Sequence, residues 1–249
     1  MIEFLFALLL WLPVFMPSSM MASLTARRSP QRAGPVMQVS MLLLSTVGVW
    51  LMGGPGRFGL FRGWNYLSQA FLLGFGVSLV LNLLQKDADV PEFLPKGIER
   101  FLLLLFLAPL SEELLNRGLV EGYLLGYGYL RSAVAFSALL FALPHWMAFE
   151  GGRGEKAFGV IGAFILGSLA GYLFALGGIV PAVVLHSSAN LAGLAVLRVE
   201  KRGEKPLAPL RFLQFYSTLP YGEGIALLPW SKIGKRGFPY KHPLHARAR

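Results

Sequence analysis

Between Phe101 and Gly118 the chain reads FLLLLFLAPLSEELLNRG, with three ionisable residues at the end of a run that otherwise suits the interior of a lipid bilayer. A carboxylate at the centre of a membrane helix costs roughly 2.5 kcal/mol or more even on a lenient insertion scale. Glu112, Glu113 and Arg117 must therefore pair with one another, with groups on neighbouring helices, or with water in a buried pocket. Each solution requires other helices around this one, and the rest of the sequence supplies them. Hydrophobic residues make up 55% of the chain and charged residues only 14%, against about 25% charged in a soluble domain. Mean hydropathy is +0.57.

The pattern predicts an all-α fold, a polytopic membrane bundle of about seven transmembrane helices, or eight. Spans are expected at Ile2 to Met16, Val36 to Met52, Tyr66 to Leu84, Gly97 to Leu125, Ser132 to Phe149, Ala157 to Leu176 and Ile179 to Leu197. The first has only Glu3 ahead of it and no basic segment, so it reads as a retained span rather than a leader cleaved before Ala22. Arg27, Arg28 and Arg32 mark a polar loop closed by Pro35. Gly53-Gly54-Pro55-Gly56 stops the second span, and Pro91 and Pro95 interrupt the connector to the fourth. Three regions follow: N-terminal scaffold helices over 1–96, a core of four helices over 97–197, and a basic interfacial tail over 198–249 with no run long enough to span.

Lysine and arginine number 23 against 13 acidic residues. The excess falls in loops and tail, where anionic lipid and the positive-inside rule account for it, so membrane lipid is the expected partner and nucleic acid is not. The same bias places the tail in the cytoplasm and Met1 outside, in what reads as a multi-pass protein of a bacterial or archaeal cytoplasmic membrane. The absence of cysteine excludes a thiol nucleophile, disulfides and a zinc-thiolate site.

On a helix, residues four apart share a face and adjacent ones do not. Glu113 and Arg117 should therefore pair, with Glu121 as a competitor for the guanidinium, while Glu112 turns away with Asn116 and stays available for chemistry. The same spacing recurs at Phe141 and His145 in FALPH and at His186 and Asn190 in HSSAN. If the helices carrying these motifs are neighbours, the set can hydrolyse an amide. Glu112 would act as general base, His145 would hold the water or share its proton, and His186 with Asn190 would donate to the oxyanion. Other intramembrane peptidase chemistries lack their residues: Ser78 and Ser168 have no following glycine, and Asp87 and Asp89 both lie in a loop. Pro144 is expected to kink the fifth helix and free a carbonyl near residue 140, and the glycines at 159, 162, 167 and 171 to pack helices closely.

The ordered trio EELLNR, FALPH and HSSAN resembles the EExxxR, FxxxH and HxxxN/D signature of the CPBP intramembrane proteases, the family of the CAAX prenyl endopeptidase and of bacterial bacteriocin-processing and immunity proteins. The resemblance covers Gly97 to Leu197, and no motif position departs from it. It implies a helical membrane fold and a glutamate-dependent peptidase acting on a membrane-associated or lipid-modified protein. By position it implies a base role for Glu112 with support from Glu113 and Arg117, water activation with His145, and oxyanion stabilisation by His186 and Asn190. No cofactor is expected. The alternative is zinc on Glu112, His145 and His186, against which stand the absence of HExxH and of an evident carboxylate behind each histidine. A second reading is a non-catalytic immunity or scaffold protein, or a proton-coupled transporter using the same buried groups.

Overall fold

The computed structural model describes residues 1–84, 94–148 and 152–200. The connector around Pro91 and the basic tail from residue 201 lie outside the described residues, and with them the orientation read from the tail. Among the described residues the fold is helical, with no strand and a single isolated bridge between Phe61 and Gly178. The helices are α1 (Ile2–Ala26), α2 (Pro30–Leu51), α3 (Leu67–Leu84), α4 (98–125), α5 (Leu130–Ala142), the short α6 (His145–Ala148), α7 (Arg153–Gly177) and α8 (Ile179–Glu200).

Among the described residues five segments are long and apolar enough to cross a membrane: α1, α2, α3, Leu130–Met147 and α7. The other two expected spans are α4, which carries the charges, and α8, whose apolar part is Ile179–Ala195. Large apolar side chains such as Leu9, Leu43, Leu72, Phe106 and Ile161 face outward, as lipid contact requires.

Several boundaries differ from expectation. α1 runs ten residues past Met16, through Pro13 and Pro17. Its hydroxyls fold back on the helix, Ser18 Oγ donating to Val14 O at 2.8 Å, which is how membrane helices tolerate polar and proline residues. The polar loop expected up to Pro35 is confined to Arg27–Ser29, because Pro30 opens α2, a position proline favours, and Pro35 lies inside the helix. α1 and α2 form a tight antiparallel pair. α5 stops at Ala142 rather than continuing to Phe149, since Pro144 cannot continue it, and α6 starts afresh at His145.

α4 is the central element and packs against α1, α2, α5, α7 and α8. It is one continuous rod, yet its backbone is π-helical over Leu103–Leu107 and Leu114–Glu121, where the sequence predicts a plain α-helix. Wide turns of this kind are frequent at functional sites, and the second one follows directly on Glu113 and carries Arg117 and Glu121. The glycine-rich loop 52–66 tucks under its end: Phe58 and Leu60 are buried, and Ile179 N donates to Leu60 O at 2.8 Å.

Lipid is as apolar as leucine, so contact area and interhelical bonds hold the helices together rather than hydrophobic exclusion. α3 and α8 meet most closely. A Cβ on Gly74 would stand 2.1 Å from Leu185 O and 2.2 Å from Ser188 Oγ, so only glycine permits the approach, and Ser78 Oγ donates across it to Ala189 O at 2.8 Å.

Candidate active site

All eight residues from Ser111 to Gly118 are buried, and burial continues to Gly122. A fully buried arginine must have acceptors within reach, and Arg117, 0% exposed, has them on two helices. Its Nε donates to Glu113 Oε2 at 3.0 Å and its Nη1 to Ser137 Oγ of α5 at 2.6 Å. Ser137 passes the bond on, donating to Glu121 Oε2 at 2.6 Å. Glu121 thus shares the guanidinium with Glu113, mainly through this serine, its direct contact being 3.8 Å.

Glu113 has a second partner, the Nδ1 of His186 on α8, 2.7 Å from Oε1. A carboxylate on Nδ1 fixes the imidazole tautomer, aims Nε2 away and supplies a countercharge for a protonated ring. The sequence shows no evident carboxylate behind the histidines, and Glu113 stands behind this one. The other imidazole is fixed differently. Because the helix breaks after Ala142, the Phe141 carbonyl accepts from His145 Nδ1 at 2.7 Å, which makes Nε2 the basic nitrogen of a neutral ring.

Phe141 joins the parts. Its ring meets His186 edge-on, with centroids 5.5 Å apart, lies 4.9 Å from the His145 ring and has the Arg117 guanidinium carbon 5.4 Å from its centroid. Asn190, one turn beyond His186, donates to Leu104 O at 2.7 Å, and Ser187 Oγ donates to Leu105 O at 2.8 Å. These bonds tie α8 to the first π-helical turn of α4. Between α3, α4, α5, α7 and α8 lies a cavity of about 10 Å³, enough for about one water, lined by Glu113, His186, Asn190, Phe141 and Ser78 among others.

Glu112 does not line that cavity. It points toward α2, where Gln38 Nε2 donates to its Oε1 at 2.8 Å. Gln38 Oε1 in turn accepts from Ser111 Oγ. Asn116, expected on the Glu112 side, donates to the Glu112 backbone carbonyl at 2.8 Å and accepts from Trp11 Nε1 at 3.2 Å. The structure therefore brings Glu113, Arg117 and His186 into direct contact, sets His145 and His186 on one phenylalanine, and lines one cavity with His186 and Asn190. Among the described residues no three His, Cys, Asp or Glu side chains are grouped to hold a metal ion.

Gln38, Ser111, Ser137 and Trp11 escape a reading by motif. A glutamine within an apolar run is a legible signal; serine is too common in membrane helices to be one.

A bundle of membrane helices with carboxylates, imidazoles and an amide buried at its centre defines a class, the polytopic membrane protein with an intramembrane polar site. Comparison adds a likeness. Residues 95–192 match the family described as Type II CAAX prenyl endopeptidase Rce1-like, and the likeness is to that segment of the chain. The apolar helices and this likeness together support an integral membrane protein. Searches of curated proteins and of solved structures found no match.

Proposed function

We propose that the protein is an intramembrane endopeptidase that cuts a membrane-associated or lipid-modified protein near its attachment to the bilayer, using a water activated by Glu112 and His145. Glu112 Oε1 is held by Gln38, which leaves Oε2 to take a proton from water while His145 Nε2 orients that water. The water oxygen attacks the scissile carbonyl carbon. His186, steadied by Glu113 and Arg117, and the remaining amide hydrogen of Asn190 donate to the oxyanion. The proton taken by Glu112 passes to the leaving nitrogen, the C–N bond breaks, and the products are a carboxylate and an amine.

The observation carrying this reading is the burial of Glu112, Glu113, His145, His186 and Asn190, each 9% exposed or less, within the very segment that matches a protease family. No step runs through a metal. Cleavage that resists a chelator supports metal-free chemistry, and loss of cleavage restored by zinc ions overturns it. The excess of lysine and arginine in loops and tail supports a cytoplasmic tail, with the substrate reaching the site from the surrounding lipid.

The test is Glu112→Gln in the full chain. Membrane peptides are compared between cells carrying wild type and variant, and the purified proteins are assayed on a farnesylated peptide ending in a CAAX sequence. Loss of a general base lowers the rate by about 10² to 10⁴, with folded yield unchanged. Full cleavage by the variant overturns the reading, and Glu112-dependent proton flux in proteoliposomes with no peptide cut supports a transporter.

A further inference from the structure

We infer that Gln38 of α2 is a positioning residue for Glu112, so that the N-terminal helix pair completes the site although the family match begins only at residue 95. The inference rests on the reading of Glu112 as the base. Gln38 is 5% exposed on a helix otherwise suited to lipid, where a carboxamide costs free energy unless both ends are bonded. Both ends are used, and both on α4. Nε2 donates to Glu112 Oε1 at 2.8 Å, and Oε1 accepts from Ser111 Oγ.

As placed, the NH2 group faces Glu112 and the oxygen faces the Ser111 hydroxyl, the arrangement suited to an ionised carboxylate, which accepts and cannot donate. Ser111 Oγ is itself anchored near Ala108 O at 3.0 Å. Ser111, Gln38 and Glu112 thus form a short closed bridge between two helices that fixes the direction of the carboxylate and occupies one of its oxygens.

Ser40 and Thr46 donate their hydroxyls to Val36 O and Leu42 O of the same helix at 2.6 and 2.7 Å, and Ser40 also touches Met21 Sδ of α1 at 3.5 Å. Gln38 reaches instead across to α4, and it reaches the carboxylate in the protease-family segment. Polar glue between helices can sit at any depth, whereas a clamp on the reacting group must act on turnover.

The experiment uses Gln38→Met, which keeps length and helix preference but removes both bonds, and Ser111→Ala, which releases only the anchor. Full-length proteins in proteoliposomes are assayed on the farnesylated CAAX peptide. Separately, the infrared carboxyl band of Glu112, assigned by difference against Glu112→Gln, is recorded for each. Gln38→Met is expected to lower kcat about 10-fold to 100-fold, the cost of a small misplacement, with KM unchanged, and to shift the Glu112 band. Ser111→Ala is expected to do both more weakly, and the double variant to be no worse than Gln38→Met alone, since the serine acts through the amide.

Unchanged kcat together with an unshifted band overturns the inference, as does a fall confined to folded yield. If Gln38→Met does not fold, the band and kcat of Ser111→Ala decide. Should Glu112→Gln itself cleave normally, the peptidase reading fails, while the infrared band still reports whether Gln38 holds Glu112.

Discussion

Glu112 and Glu113 are neighbours in sequence and opposites in surroundings. Glu113 is met by ionic partners: a buried guanidinium at 3.0 Å and an imidazole at 2.7 Å. Glu112 is met by neutral dipoles, the Gln38 amide at 2.8 Å and, through its backbone carbonyl, the Asn116 amide at 2.8 Å. A carboxylate compensated by a full charge is stable and chemically quiet, because proton uptake would strand its partner. One steadied only by dipoles can exchange a proton at lower cost to the structure. Adjacent residues on a helix lie about 100° apart, and that angle alone puts one acid on the α5 and α8 side and the other on the α1 and α2 side. About 100° of helix thus separates a carboxylate met by ions from one met by dipoles.

The largest effect should come from the ionic side. Arg117→Met leaves Glu113 and Glu121 without their shared cation in a site of 0–1% exposure. Breaking a buried pair from one end costs about 3–5 kcal/mol, a large share of the stability of most proteins. Fluorescence-detected size exclusion should show little monodisperse protein, and what remains should unfold at a much lower temperature. Glu112→Gln should leave the same profile near wild type while activity disappears. If the two variants fold equally well, the contrast between the acids is wrong.

A middle-sized effect is expected where α7 makes room for the ionic cluster. A Cβ on Gly171 would stand 2.7 Å from Glu121 Oε2 and 3.1 Å from Val134 Cγ1. Gly171→Ala must push Glu121 off Ser137 or separate the helices, at about 1–3 kcal/mol for an overpacked site. Gly76 of α3 is the control, since a Cβ there meets nothing within 4 Å, and Gly76→Ala should be neutral or slightly stabilising. A thermal unfolding series in one detergent compares the two. Equal midpoints would mean that α7 does not confine the cluster.

Much of this was legible in the sequence, and the rest was not, for identifiable reasons. Hydropathy located the helices, since a bilayer demands long apolar runs, and the i to i+4 spacing paired Glu113 with Arg117. The helix ends at Ala26 and Ala142 differ from expectation because α1 continues through Pro17 whereas Pro144 ends α5. The π-helical turns left no trace, as they depend on what packs against α4. The partnership of His186 with Glu113 joins residues 73 apart, and no local rule reports it. The bond between Gln38 and Glu112 spans 74 residues and joins two regions that the sequence set apart as scaffold and core.

The smallest effect should lie on the neutral side. Trp11 Nε1 donates to Asn116 Oδ1 at 3.2 Å, and its ring stacks on Phe15 with centroids 4.3 Å apart. Trp11→Phe keeps most of the stack and removes one neutral hydrogen bond, worth about 0.5–1.5 kcal/mol. Asn116 still donates to the Glu112 carbonyl, so Glu112 keeps its place. The unfolding midpoint should fall by a few degrees with kcat and KM close to wild type. Because Trp11 touches the site only through Asn116, a loss of cleavage as complete as that of Glu112→Gln, in a protein that still folds, would mean that Glu112 is held chiefly from α1, and the division between an ionic and a dipolar side would have to be redrawn around the tryptophan.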